Sequence, residues 1–219
     1  MSTAVLDVPT LPDAAPAAAG ADWFGGAHAV ATDDDLRRLY PRPHEIVLRK
    51  QVSRLDVHCR ALIAASPFLV LATAGPGGVD CSPRGGPPGG LVEVHDDRTL
   101  LLPDWPGNNR LDSLRNILAS PAVALLFLLP GEREVFRIGG DARLSAHPDL
   151  LDRFATPGGK RPRAVVVVRV HEAFIHCGRA VVAAELWNPA RHVPPGAVPS
   201  LATILDAHVR LSSEDAPPP

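Results

Sequence analysis

The segment from Asp80 to Gly86 places a hydroxyl, an arginine and small residues within seven positions. It lies between a glycine-rich turn at residues 75–78 and an apolar run that begins at Leu91. Small residues let a flat anionic ligand approach the backbone, and an arginine side chain matches a phosphate. The alternative interpretation is a proline-glycine loop that carries a surface arginine. The candidate binding residues of this segment are Ser82, Pro83, Arg84 and Gly85.

A second candidate segment joins an apolar strand to a helix predicted over residues 110–119. Asparagine is a favoured helix cap, and a capped helix leaves its first backbone N–H groups pointing at one spot. Arg110, expected in the first turn, opposes the helix dipole unless an anion is bound there. This combination indicates a phosphate site, although Gly-Asn-Asn is equally consistent with turn and cap chemistry alone. The candidate residues here are Pro103, Asp104, Asn108, Asn109 and Arg110.

A third segment contains His176 and Cys177, with Trp187 shortly after them. A histidine next to a cysteine is a candidate metal ligand, haem ligand or nucleophile. Because no third ligand stands at a recognisable spacing, the expected arrangement is a buried histidine beside an inert, buried cysteine, and no metal site is predicted. Trp187 is suited either to cover one edge of an aromatic cofactor or simply to pack.

The elements that position these residues are predicted to be mainly strands. Short apolar runs, separated by Gly, Pro, Asp and Asn clusters, indicate strands at residues 68–72, 91–94, 99–102, 123–129, 135–144 and 165–170. Only one strong helix, at residues 110–119, lies among them. This order favours an antiparallel β-barrel with peripheral helices over a doubly wound parallel sheet.

Helices are predicted on both sides of the strand region. Thr32, followed by three aspartates, is typical of a helix start, and a helix over residues 55–65 is expected to end before Pro67. Ser200 is expected to cap a last, amphipathic helix. We therefore expect a single domain over residues 31–211, between a disordered arm rich in alanine and proline (1–30) and a disordered tail (212–219).

Two predicted strands, at residues 123–129 and 165–168, are apolar at consecutive positions rather than at alternate ones. Both faces of such strands are expected to be buried. In a small barrel one face fills the interior, so the other requires a lid or a second subunit. The pattern thus predicts a homodimer.

Composition and motifs exclude several classes of function. The net charge of −2 and the pI near 6.5 give no basic excess for nucleic acid or for an anionic membrane. No stretch approaches the roughly 20 apolar residues of a membrane span, and the first residues lack the pattern of a signal peptide. The three cysteines form no C-x-x-C pair, so we expect a soluble protein of the cytoplasm.

Taken in order, these pieces resemble the flavin-binding members of the pyridoxamine 5'-phosphate oxidase superfamily, and most closely a bacterial subgroup of that superfamily. Each piece is a weak signal, but the ordered set is specific, and it covers roughly residues 36–189. The matching pieces are Asp80 to Gly85, Leu102 to Ser113, Asn116-Ile117, Phe127 to Gly131, Arg137 to Ala142, His176-Cys177 and Leu186-Trp187.

The resemblance implies a split β-barrel of the FMN-binding type, with the flavin mononucleotide (FMN) at the interface of a homodimer. It implies that Asn109 and Arg110 hold the phosphate, and that residues 82–85 line the ring or the ribityl chain. Pro103 and Asp104 would follow along the same strand edge, and Trp187 would close the site from the partner chain. The implied activity is FMN-dependent oxidation or reduction of a small organic substrate.

Two departures from the subgroup pattern keep other functions open. Gly86 stands where the subgroup usually has aspartate, and Ala183-Ala184 stand where it usually has arginine and serine. The alternatives are a split barrel that uses deazaflavin F420, or haem with His176 as its ligand, and a relative without catalytic activity that binds flavin or lacks it.

Overall fold

The computed structural model describes residues 29–214 of the chain. Of the predicted arm, residues 1–28 lie outside this range, as do residues 215–219 of the predicted tail. The described residues fall into two compact units: Pro43–Trp187, and a second unit made of residues 29–42 and 188–214. The second unit holds helix α1 (Asp33–Leu39), a 3₁₀ turn (Pro189–Arg191) and helix α7 (Leu201–Glu214).

The unit Pro43–Trp187 is built on seven strands. These strands are β1 (Phe68–Gly75), β2 (Gly78–Gly85), β3 (Glu93–Val94), β4 (Thr99–Asp104), β5 (Ala122–Leu128), β6 (Val135–Ser145) and β7 (Ala164–His176). They form one antiparallel sheet in the order β2-β1-β5-β6-β7-β4-β3. Its helices are α2 (Glu45–Arg49), α3 (Val57–Ala65), α4 (Asp112–Ala119), α5 (Pro148–Arg153) and α6 (Arg179–Ala183). The predicted class, mainly β with peripheral helices, is confirmed.

Strand β2 is the element that the apolar runs do not indicate. Its sequence is polar and contains a proline, which sheets tolerate at an edge, and within the described residues β2 pairs with β1 alone. The register sets Ser82 opposite Leu71 and Arg84 opposite Leu69. Exposure alternates along the strand, so that Asp80, Ser82 and Arg84 share the less exposed face.

The two ends of the sheet approach each other in space. Arg84 of β2 forms an ion pair with Asp104 of β4, with 2.6 Å between Nη1 and Oδ1. Four strands separate β2 from β4 in the sheet order, so the sheet must curl almost onto itself to bring these side chains together. No backbone ladder joins β2 to β4 in the described part of the chain, which leaves the barrel open at this seam, as in a split barrel.

The core is formed by side chains at alternate positions of the central strands, on the face that points into the barrel. Leu71 of β1, Phe127 of β5 and Ile138 of β6 are fully buried, and Ile63 of α3 and Ile117 of α4 join the same apolar cluster. Burial of such side chains is the main favourable contribution to folding.

For strand β5, the prediction that both faces are buried is confirmed for one face only within a single chain. Val123, Leu125 and Phe127 are buried, whereas Leu126 and Leu128 are half-buried within a single chain. The second face of this strand therefore remains partly open to a further layer.

The predicted helix boundaries are largely reproduced. Thr32 caps α1 in a reciprocal hydrogen-bonded box with Asp35, and α3 ends before Pro67 as expected, although it begins at Val57 with Asp56 as its cap. Ser200 accepts a hydrogen bond from the backbone N–H of Thr203 at the start of α7. Helix α7 continues to Glu214, three residues past the predicted end of the ordered domain.

None of the helices between residues 29 and 214 combines the length and the hydropathy needed to cross a bilayer.

Candidate functional site

A cleft of about 700 Å³ opens at the seam between the two ends of the sheet. One wall is β2, the opposite wall is the end of β4 with the start of β7, and the floor is the loop that leads into α4. We call it the first cleft. It is lined by Asp80, Ser82, Pro83, Arg84, residues 104–114, Arg163 and Ala164.

The Arg84–Asp104 ion pair joins β2 to β4 in the lining of the first cleft. The side chains of Arg84 and Asp104 are 24% and 12% exposed, so the pair is largely shielded from solvent. Nη1 of Arg84 is satisfied by Asp104, but its Nε is buried and has no hydrogen-bond partner among the described residues. A buried donor without an acceptor is costly, and such a group at a cleft indicates where a ligand acceptor would bind.

Beside this pair, a short chain of hydrogen bonds joins α4 to β2. Ser113 is buried, and its hydroxyl donates to Oδ2 of Asp80 over 2.5 Å. The hydroxyl oxygens of Ser82 and Ser113 are 2.9 Å apart. Asn116, one turn further along α4, donates to Thr73 of β1 over 3.1 Å. These contacts tie α4 to β2 and to the neighbouring strand β1.

The loop before α4 differs from the prediction. The helix begins at Asp112, its capping position is Leu111, and no side chain caps it, so Asn109 is not a helix cap and Arg110 is not in the first turn. Asn109 and Leu111 both adopt positive φ, of 60° and 64°, in place of a regular capped entry. Oδ1 of Asn108 accepts a hydrogen bond from the Arg110 backbone N–H, which makes a local turn.

The charge of Arg110 is already compensated. Its Nε donates to Asp112, and this carboxylate, with a smaller contribution from Asp80, raises the pKa of Arg110 above its ordinary value. Because Arg110 lies before the first turn and is paired with Asp112, it does not require an anion for compensation. What remains is a loop whose amide and guanidinium groups line one side of the cleft.

Arg163 is a cleft residue that the sequence analysis missed. It precedes β7, its backbone N–H donates to the carbonyl of Asp104 over 2.8 Å, and its side chain has no ion-pair partner in the described part of the chain. The signal available in the sequence was the basic stretch Arg-Pro-Arg at residues 161–163, directly before an apolar run. The antiparallel pairing of β7 with β4 sets Ala164 opposite Asp104, so that Arg163 lies next to this pair at the cleft.

A second cleft, of about 710 Å³, adjoins the first across Pro83, Arg84 and Trp105, which line both. It takes in two more of the predicted residues, Gly85 and Pro103. Gly86 lines this second cleft but not the first, and a Cβ there would meet Leu91 at ordinary contact distance. The remaining lining residues are Pro87, Gly90, Leu91, Leu102, Arg153, Phe154, Ala155, Thr156 and Lys160.

The structure thus gathers nine of the ten predicted binding residues around two adjoining clefts. The tenth, Trp187, lies elsewhere in its own chain, where its indole N–H donates to the carbonyl of Glu132 over 2.6 Å. A role for Trp187 in a partner subunit's site stays a prediction.

His176 lies at the opposite end of β7 from the first cleft. Ala164 begins this strand at the cleft, and His176 ends it twelve residues later. At about 3.3 Å per residue, this is roughly 40 Å along the strand. His176 and Cys177 are both exposed, so the prediction that they are buried is wrong. The described residues contain no cluster of His, Cys, Asp and Glu side chains that could hold a metal ion.

Comparison with known proteins gives one match to a family model. The model of the pyridoxamine 5'-phosphate oxidase family matches residues 55–177, more than half of the chain. This range contains both clefts. None of the curated proteins matches the chain.

Solved structures of low sequence identity match parts of the chain with TM-scores below 0.5. HupZ of Group A Streptococcus is 17% identical, with a TM-score of 0.45 over 55% of this chain and 92% of the other. A Lactobacillus delbrueckii protein named as a candidate pyridoxamine 5'-phosphate oxidase is 20% identical, with a TM-score of 0.45 over 56% and 95%. General Stress Protein 26 of Bacillus anthracis is 14% identical, with a TM-score of 0.40 over 52% and 88%.

Proposed function

Because this chain belongs to the pyridoxamine 5'-phosphate oxidase family, we propose that it is an FMN-dependent oxidoreductase that acts on a small organic molecule. The observation that carries the proposal is the first cleft, in which the Ser82–Arg84 segment and the Asn108–Arg110 loop line one cavity. These segments lie more than twenty residues apart in the sequence. The curled sheet brings them together at the seam.

The residues of the first cleft fit FMN in size and in chemistry. Its volume of about 700 Å³ lies within the range of about 300–1,000 Å³ typical of small-molecule sites. The unpartnered Nε of Arg84 would meet an acceptor on the ring or ribityl chain. At the other side, the side chains of Asn108, Asn109 and Arg110 offer donors to a phosphate. Arg163 does so as well, since its guanidinium has no ion-pair partner among residues 29–214.

Bound FMN would supply hydride transfer, the chemistry that no side chain of the protein can perform. The protein's own residues would bind and orient. Arg84 is held by Asp104 across the seam, so its guanidinium is fixed in position and its charge is balanced. The second cleft, which adjoins Arg84 and contains the cationic side chains of Arg153 and Lys160, leaves room for the substrate.

The glycine at position 86 affects the proposed substrate cleft rather than the proposed phosphate site. Gly86 lines the second cleft alone, and the space there would accept a side chain. Loss of an aspartate at this position would leave a less acidic second cleft. We propose that this change alters which small molecule is accepted, while FMN is retained.

A homodimer is part of the proposal, because the outer face of the sheet is incompletely covered. Leu126 and Leu128 of β5 are half-buried in one chain, and Leu118 of α4 is 75% exposed. A second copy would remove these apolar groups from water. Its Trp187 would be the residue to look for at the first cleft.

The position of His176 supports FMN over haem. A haem bound in the first cleft would lie at the other end of β7 from this histidine of the same chain, which does not line that cleft.

The test is the absorbance spectrum of the purified protein, followed by titration of flavin-free protein with FMN and an assay of flavin reduction by nicotinamide cofactors. We expect the two broad bands of oxidised flavin, saturable FMN binding, and bleaching of the visible band on reduction. A sharp Soret band, or failure to bind FMN, would overturn the cofactor assignment. FMN binding without reduction by these or other small-molecule donors would overturn the enzymatic part.

A further inference from the structure

The hydrogen bonds among Asp80, Ser113 and Ser82 can run in only one direction. A carboxylate oxygen accepts hydrogen bonds but does not donate them, so the Ser113 hydroxyl must donate its single hydrogen to Asp80. Ser113 then has only lone pairs to offer Ser82, and the hydrogen between the two serines must come from Ser82. The hydroxyl of Ser82 is therefore left with lone pairs alone for any other partner.

We propose that Asp80 and Ser113 are positioning residues that make Ser82 an obligate hydrogen-bond acceptor in the first cleft, so that the cleft selects a ligand with an N–H or O–H group at this point. The inference rests on the proposed function in taking FMN as that ligand. FMN carries suitable donors in its ring imide N–H and its ribityl hydroxyls. The nitrogens of an iron porphyrin carry no hydrogen.

The environment of Ser113 maintains this direction of the hydrogen bonds. Ser113 is buried, with 4% of its surface exposed, so water does not compete for its hydrogen bonds. Its helix is held against the sheet by the separate Asn116–Thr73 hydrogen bond. Two residues along the same face of β2, Arg84 presents the opposite character, a buried N–H that can only donate. The wall of the cleft thus carries one obligate acceptor and one obligate donor.

The experiment is a double-mutant cycle on FMN binding, measured by titration of flavin-free protein. Ser82→Ala removes the acceptor, and Ser113→Ala leaves the Ser82 hydroxyl free to rotate. Ser82→Ala should weaken FMN binding about five- to tenfold, the value of one lost hydrogen bond, and Ser113→Ala about three- to fivefold, because the Ser82 hydroxyl can still accept but is no longer held in that orientation. Because Ser113 acts through Ser82, adding Ser113→Ala to Ser82→Ala should change the affinity by less than about twofold.

A matched control separates this role from simple packing of α4. Thr73→Val removes the other polar link between α4 and the sheet without altering a cleft residue. It should leave FMN affinity within about twofold, with folding of all variants checked by circular dichroism.

Additive losses in the cycle, or an equal loss in Thr73→Val, would show that Ser113 acts through the structure of the helix and would overturn the inference. If the wild-type chain binds FMN but Ser82→Ala binds it equally well, the inference fails while the proposed function stands. If the wild-type chain binds no FMN, both fail.

Discussion

Nη1 of Arg84 lies 2.6 Å from Oδ1 of Asp104, although four strands separate β2 from β4 in the sheet. This ion pair is a polar bridge across the open seam of the barrel, in which Arg84 lines both clefts and Asp104 lines the first. Since neither side chain is more than a quarter exposed, removal of one partner leaves the other charge poorly solvated.

Asp104→Asn should accordingly lower the free energy of unfolding by roughly 1–3 kcal/mol, less than for a fully buried pair. Urea unfolding followed by circular dichroism measures this. Asp152→Asn is the matched control, because its partner Arg161 and Asp152 itself are both about half exposed. The control should change stability by less than about 1 kcal/mol, and equal effects of the two substitutions would contradict the structural role of the seam pair.

Arg163→Ala should weaken FMN binding by about tenfold or more, because an unpaired guanidinium is free to form a charge-assisted hydrogen bond to the phosphate. Arg110→Ala should weaken it less, since Arg110 is already paired with Asp112. Riboflavin, which lacks the phosphate, should bind all variants with similar affinity.

Arg161→Ala provides the control for Arg163, because Arg161 does not line the first cleft and is paired with Asp152. An unchanged affinity of Arg163→Ala for FMN, or an equal loss for riboflavin, would refute the phosphate assignment.

Gly140→Ala should destabilise the barrel. The register of β6 and β7 shifts between Gly139 and Gly140, and a Cβ at Gly140 would lie 2.1 Å from the carbonyl oxygen of Arg169. Because the obstacle is backbone in a paired strand, we expect a loss of about 2–3 kcal/mol in urea unfolding. Gly77→Ala, in the turn between β1 and β2, meets no atom within 4 Å and should cost less than about 0.5 kcal/mol. The explanation fails if both variants unfold at the same urea concentration.

Asp56 should contribute to stability in a pH-dependent way. Its carboxylate caps α3 by accepting a hydrogen bond from the Cys59 backbone N–H over 2.8 Å, and this bond lowers the pKa of Asp56 below its ordinary value of 3.8. A carboxyl whose pKa is lower in the folded state stabilises the fold above its unfolded pKa, and this contribution disappears as the pH falls through the lowered value.

Asp56→Ser keeps a cap without a titratable group. The free energy of unfolding of the wild type, relative to that of Asp56→Ser, should therefore decrease as the pH falls below 3.8. Urea unfolding curves recorded at neutral and acid pH measure this difference. A difference that is independent of pH would mean that the Asp56 charge does not contribute.

The sequence by itself determined the apolar strands and the fold class. Runs such as residues 123–129 are apolar enough to be recognisable without neighbours, and Thr32 and Pro67 mark helix boundaries through local backbone chemistry alone. The resemblance to flavin-binding split barrels likewise rests on the order of short motifs, and the family match confirms the family.

Only the tertiary structure decided how the site is assembled. Edge strand β2 is too polar to be recognised from its composition, and its role follows from its pairing with β1. The curling of the sheet brings Arg84 into contact with Asp104 and places Arg163 in the first cleft. The packing of α4 against β2 brings Ser82 into contact with Ser113. The positive φ of Leu111, which moves the start of α4 past Arg110, is likewise not indicated by the residue types around it. Contacts between segments far apart in the sequence depend on the path of the whole chain, which local propensity does not specify.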